Sequence, residues 1–180
     1  MTAEVVDGEL VVMPRPRRQH ARASSRLGHR LGPFDDPQGD DPGGWVILDE
    51  PELHLGPLPD IVDPDLAGWR RERIPDDFLA PEAPAHIALS PDWVCEVLSE
   101  RTEAVDRGRK MRIWRREKVG HVWLLSPELK TLEVYALAAQ ETPAGVRDRY
   151  SLVDTYEGNA RVRAEPFEAL ELDLAALWSL

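Results

Sequence analysis

The sequence predicts an α/β fold, a mixed central sheet flanked by helices. Three observations predict it. Apolar runs of strand length alternate along the chain with stretches of helical period. At 180 residues the chain is long enough to bury a core of its own. No internal repeat or shift in composition divides it, so residues 1–180 read as a single domain.

The elements follow in order. Residues 4–13 alternate apolar and polar as a short strand or hairpin turning at Asp7-Gly8, and Pro14 and Pro16 end it. Residues 19–31 read as a helix, because Ala23, Leu27 and Leu31 recur at i, i+4 and i+8. Its other face is basic: Arg17, Arg18, Arg22, Arg26 and Arg30. His20, near its start, reads as a surface or packing residue. Residues 32–44 form a loop by composition. Its acids (Asp35, Asp36, Asp40, Asp41) lack the spacing and closing Glu of a calcium loop. Residues 45–48 and 52–55 read as a strand pair around Pro51.

Residues 58–69 read as a strand with Asp60, Asp63 and Asp65 embedded in it. Pro64 cannot donate to a ladder, so it marks an edge or a bulge. Residues 70–73 are a charged exit, and 74–88 are a loop. Residues 93–98 are a strand and residues from 99 onward a helix, with Ser99 or Thr102 as its N-cap. Strands at 121–125 and 131–137 form a hairpin around a turn at 127–130. Further strands fall at 149–156 and 160–164, about Gly158. Residues 170–180 read as a short helix packing through Leu174, Leu177 and Trp178.

Composition excludes several classes. No stretch approaches the roughly 20 apolar residues of a membrane span. Residues 1–13 lack a basic start and an apolar core, so no signal peptide is read. Cys95 is the one cysteine, which rules out an internal disulfide and suits the cytoplasm. It reads as a small core residue rather than a reactive thiol. Net charge is −11, against general phosphate binding. Residues 101–118 nevertheless hold eight basic and three acidic residues, a local +5. That segment is either a solvated helix face or a phosphate-facing surface carrying Arg107, Arg109 and Arg112. Six tryptophans leave room for an exposed aromatic surface, and with it a homodimer.

The chemistry concentrates in residues 91–116, PDWVCEVLSERTEAVDRGRKMRIWRR. Glu96 stands inside an apolar strand, which costs several kcal/mol unless it is paired, protonated or metal-bound. Strand alternation sets Asp92 on the same side as Glu96. Asp65, on a second strand, also sits among apolar neighbours. Two carboxylates on neighbouring strands could hold Mg²⁺ or Mn²⁺, which take oxygen ligands. Lys110, on the following helix, could reach toward the ion. The bland alternatives are a turn acid after Pro64 for Asp65 and an i, i+4 partner of Asp106 for Lys110.

PDLAGW at 64–69, PDWVCEVLS at 91–99, DRGRKMRIW at 106–114 and GHVWLLSPELKTLEVY at 120–135 together resemble the Uma-two family of restriction-endonuclease-like proteins. DGEL at 7–10 and ELDLAALW at 171–178 also match, so the likeness covers nearly the whole chain. The resemblance implies a restriction-endonuclease-like core and metal-dependent cleavage of nucleic acid, DNA foremost. It implies Asp65 as the proline-aspartate acid, with Asp60 as rival, and Glu96 as the second acid. The superfamily's lysine would fall at position 98, where this chain has Leu98, so Lys110 takes the role. Glu9 or Glu4 could add a ligand. The competing reading is an interaction or assembly module on a degenerate nuclease fold.

Overall fold

The computed structural model describes residues 1–36, 42–143 and 145–179. Asp40 and Asp41 of the expected acidic loop lie outside the described residues.

Two sheets divide the strands. β1 (Thr2–Val6) and β2 (Glu9–Met13) form the expected hairpin, with Asp7 and Gly8 both at positive φ, as a tight primed turn requires. They join β4 (Leu53–Leu55) and β5 (Asp60–Val62) in a four-stranded sheet ordered β2-β1-β5-β4. The larger sheet has six strands. It contains β3 (Trp45–Asp49), β6 (Leu66–Arg70), β7 (Trp93–Val97), β8 (His121–Ser126), β9 (Thr131–Thr142) and β10 (Gly145–Glu157). Its order is β10-β9-β8-β7-β6-β3. Only β7 and β8 pair in parallel among the described strands, so the sheet is mixed.

A parallel pair needs a crossover connection. Residues between β7 and β8 supply it as α2 (Glu103–Val105), a π turn (Asp106–Lys110) and α3 (Met111–Arg116). Thr102 occupies the N-cap position, without a side-chain capping bond. The C-terminal part adds β11 (Arg161–Val162), β12 (Leu172–Asp173) and α4 (Ala175–Trp178).

Three expectations need correction. Residues 45–48 and 52–55 do not pair with each other: β3 pairs with β6, and β4 with β5. The chain changes sheets between them, and again between β5 and β6 at Asp63-Pro64-Asp65. The first helix, α1 (Arg18–Asp35), runs through Pro33 into the expected loop. Phe34 explains the extension: it is buried, with its ring 4.7 Å from that of Phe167. Asp35 then accepts the Ile47 N–H at 3.1 Å, tying the helix end to β3. The C-terminal helix is four residues rather than eleven, because Leu172 and Asp173 pair with β11. Leu174 and Leu177 are buried as expected, and Trp178 is partly buried.

The large sheet is covered on both faces. Against one face pack Ala23, Leu27 and Leu31 of α1 with Leu174 and Leu177, over Trp93, Cys95 and Trp123. Against the other pack Ile113 and Trp114 of α3 with Val6, Leu53 and Val62 of the small sheet, over Val94, Val122 and Leu124. Phe167 is the aromatic hub of the first layer, with Trp45 at 4.9 Å, Trp93 at 5.0 Å and Trp123 at 5.6 Å. Gly68 leaves room for this packing; a Cβ there would meet the Trp93 ring at 3.2 Å and the Trp45 ring at 3.3 Å. Five tryptophans are fully used in this way, Trp45, Trp69, Trp93, Trp114 and Trp123, so they offer no exposed aromatic surface. The tryptophan argument for a homodimer falls with them.

Phe167→Ala removes the ring shared by four aromatic neighbours. It should destabilise the protein by about 3–5 kcal/mol, measured by urea denaturation.

Candidate active site

A cavity of about 220 Å³ opens where the two sheets and α1 meet, beyond the C-terminal end of β7. Glu4 of β1, His20 of α1, Asp63 and Asp65 at the sheet crossing, Glu96 of β7 and Lys110 of the π turn all line it.

The ladder explains the first placement. Leu66 pairs with Cys95, so the next step sets Asp65 beside Glu96 on adjacent strands. Asp65 Oδ2 accepts the Val97 N–H at 2.7 Å, and Asp65 Oδ1 lies 3.3 Å from His20 Nε2. Both carboxyls therefore border one cavity rather than opposite faces of the sheet. Glu4 comes from the small sheet: Oε1 accepts the Asp63 N–H at 2.9 Å, holding β1 to the crossing.

Lys110 ties these groups together. Its Nζ donates to Glu96 Oε2 at 2.9 Å and to Glu4 Oε1 at 3.1 Å, with Asp106 Oδ1 at 3.7 Å. Lys110, Glu96 and Glu4 are each only 2% exposed. The π turn gives Lys110 and Asp106 their common direction, and such turns recur at functional sites.

Burial, the Lys110 ammonium and the crowding of acids set the protonation. Burial pushes the Glu96 carboxyl well above its ordinary range, opposed by Lys110 and reinforced by Asp106, Asp65 and Glu4. Burial raises Asp65 to about 7, against the pull of the Val97 N–H and Lys110. Asp63 rises to about 6, through burial and the nearby Glu4. Burial disfavours the Lys110 charge, but Glu96, Glu4 and Asp106 outweigh it and raise its pKa, so the ammonium persists. Burial lowers the pKa of His20. One cation among these acids favours the protonated form of Glu96 and leaves Asp65 divided between its two forms near neutral pH.

Several expected ligands lie elsewhere. Asp92 is at the far end of β7, where it accepts the Arg70 N–H at 2.8 Å and pairs with Arg73 at 2.6 Å. Asp60 accepts the Asp7 N–H at 2.6 Å and pairs with Arg116 at 2.7 Å. Glu9 is on the exposed β2, 3.1 Å from Arg109, so of the two glutamates it is Glu4 that reaches the cavity. Each is withheld by a different partner.

The arginines chosen for phosphate contact are also committed. Arg107 makes a two-pronged pair with Glu133 at 2.5 and 2.8 Å and also holds Glu103. Arg109 donates to the Val6 carbonyl and pairs with Asp7 and Glu9; Arg112 pairs with Asp7 at 3.2 Å. The helix is basic in sequence but neutralised in space. The cations at the cavity mouth are Arg15, Arg17 and Arg101, all exposed and without an ion pair among the described residues.

The donor set fits a hard divalent ion in kind. Glu96 Oε1, Glu4 Oε2 and Asp63 Oδ1 are buried oxygens with no hydrogen-bond partner. Buried polar atoms left unpaired are uncommon and call for an explanation such as an ion. Among the described residues no three of the cavity's donors come within 4.8 Å of one another. Mg²⁺ needs only one or two carboxylates, filling its remaining positions with water and substrate oxygens.

Lys110→Met strands the acids without their cation. Unfolding by urea, without divalent ions, should show a loss of about 3–5 kcal/mol at pH 8 and a smaller loss at pH 5, where the carboxyls take up protons. The wild type has its own pH signature. Folding raises Asp65 from 3.8 to about 7, so the native state holds that proton more tightly than the unfolded chain. Ion-free stability should therefore fall across that window as pH rises. Stability that rises through this window would contradict the burial of Asp65.

The Uma2 family model, described as "Putative restriction endonuclease", matches residues 1–175. Among solved structures, the chain is similar to one titled as "a putative nuclease belonging to DUF820" from Anabaena variabilis ATCC 29413. That likeness has a TM-score of 0.72 at 21% identity, and it covers 98% of this chain and 89% of the other. It shows a shared fold. No curated protein matches the chain. With a family model matched over nearly its whole length and the mixed sheet to go with it, the chain belongs to the Uma2 family.

Proposed function

We propose that the chain is a divalent-metal-dependent nuclease that hydrolyses phosphodiester bonds of nucleic acid, DNA foremost. The observation that carries this reading is the cavity itself. Asp65 and Glu96 border it from adjacent strands, Lys110 is buried against Glu96, and unpartnered carboxylate oxygens surround them.

Asp65 and Glu96 would hold Mg²⁺ or Mn²⁺. When bound, the ion polarises the phosphate and lowers the pKa of a coordinated water. The rest falls to the chain. Lys110 has three N–H donors; Glu96 and Glu4 occupy two. The third has the longer contact to Asp106, at 3.7 Å, and would pass to a phosphate oxygen, balancing charge that builds as the phosphodiester accepts a water. Val97 N–H and His20 fix the carboxyl of Asp65 from two sides. Arg15, Arg17 and Arg101 would grip the backbone on either side of the cleaved bond, on a rim they share with the exposed Glu50, Glu100 and Glu128.

The tightly closed Lys110–Glu96–Glu4 contacts favour a second reading, an interaction module whose polar network is structural only. Nuclease assays with Mg²⁺ or Mn²⁺ separate the two. Glu96→Gln and Lys110→Gln should each lose about 10²-fold or more in rate, the scale of a removed charge stabiliser. Cleavage equal to wild type in both would remove the catalytic assignment, and absence of saturable metal binding would favour the module. Replacing Arg15, Arg17 and Arg101 by Ala should lower the slope of log affinity on log salt by about one per arginine, measured on DNA with Ca²⁺ in place of Mg²⁺.

A further inference from the structure

Outside the cavity, one cluster of side chains has no part in the reaction proposed above. Glu52 and His54 flank Leu53 on β4, and His86 comes from the long connection between β6 and β7. Their ligand atoms all lie within 4.8 Å of one another. His54 Nε2 is 2.7 Å from Glu52 Oε1, and the His54 and His86 rings stack at 4.1 Å.

The backbone builds this arrangement from both strands. Leu53 and Ile87 form a parallel bridge. Ile87 N–H donates to the Glu52 carbonyl at 2.9 Å, and His54 N–H donates to the Ile87 carbonyl at 3.0 Å. Strand alternation puts Glu52 and His54 on one side of β4. The bridge then lays His86 beside them. The pattern is thus imposed by paired main chains and not by chance meeting of free side chains.

We propose that Glu52, His54 and His86 form a zinc site that fastens the β6–β7 connection to β4. Two imidazoles and a carboxylate suit a borderline ion such as Zn²⁺. They suit Mg²⁺ poorly, since it prefers oxygen. Three protein ligands leave the fourth tetrahedral position to water. Zinc–ligand bonds near 2 Å draw ligand atoms to about 3.3 Å apart. Glu52 and His86 are exposed, and because a metal lies in the plane of each imidazole it binds, zinc would swing the His86 ring out of its stack on His54. None of the three lines the catalytic cavity. The connection that the site would pin joins β6, which follows Asp65, to β7, which carries Glu96, and it is also held by the Ile87 main-chain bonds and by Trp69 Nε1 donating to the Leu89 carbonyl at 2.9 Å.

Calorimetric titration of the full chain with Zn²⁺, in saturating Mg²⁺, tests the site. Wild type and Glu96→Gln should each bind one zinc per chain. His86→Ala and Glu52→Gln should weaken that binding at least about tenfold. Circular dichroism should show both variants folded, as expected for exposed residues. In a second measurement, zinc should slow protease cleavage within residues 74–91 of wild type but not of His86→Ala. No saturable zinc binding by wild type, or equal binding by His86→Ala, would overturn the proposal. So would zinc binding lost in Glu96→Gln, which would assign the ion to the cavity.

Discussion

The ammonium of Lys110, buried against Glu96, Glu4 and Asp106, is the constraint on which the rest of this structure depends. It draws one acid from the small sheet, one from the large sheet and one from its own π turn to a common point. Buried carboxylates without a cation would cost several kcal/mol each. With one, part of that cost is offset, and the remainder shows as the raised pKa of Glu96 and of Asp106. The two sheets are therefore joined electrostatically as well as through the apolar layer of Val6, Leu53 and Val62.

Arginine placement follows a different logic. Asp7, at the tip of the β1–β2 turn, reaches both Arg109 and Arg112, and Glu133 reaches Arg107 from β9. These pairs dock the crossover helix onto both sheets. Such partly exposed pairs contribute little stability singly, but they consume charge that would otherwise face a polyanion. The mouth arginines have no such partners among the described residues, and the +5 segment is divided between structure and surface.

Glu96 was legible in the sequence because a carboxylate inside an apolar strand demands an explanation, and Lys110 because it follows on the next helix. Asp65 stood out from Asp60, which also follows a proline, only through the family resemblance of the segment after it. The sheet order and the parallel pair were not, because register depends on partners far along the chain. His20 was passed over, since helix histidines are usually unremarkable. The available signal was its place on the stripe of Ala23 and Leu27, three and seven residues on. Glu4 shares strand parity with the buried Val6, a clue of the same kind. The partners of Arg109 and Arg112 could not be read, because Asp7 lies more than a hundred residues from both. The short final helix was misjudged because β-pairing of Leu172 and Asp173 overrides local helical preference.

The helical crossover has one more consequence. The superfamily pattern implied by the resemblance has its lysine at position 98, at the end of the strand, and here that position is Leu98, 5% exposed and packed with Val94 and Ile113. A strand end bearing the cation would have to keep that position polar. By carrying the charge on the returning limb, the fold separates two duties: the strand seals its layer with an aliphatic side chain, and the limb above it delivers the ammonium.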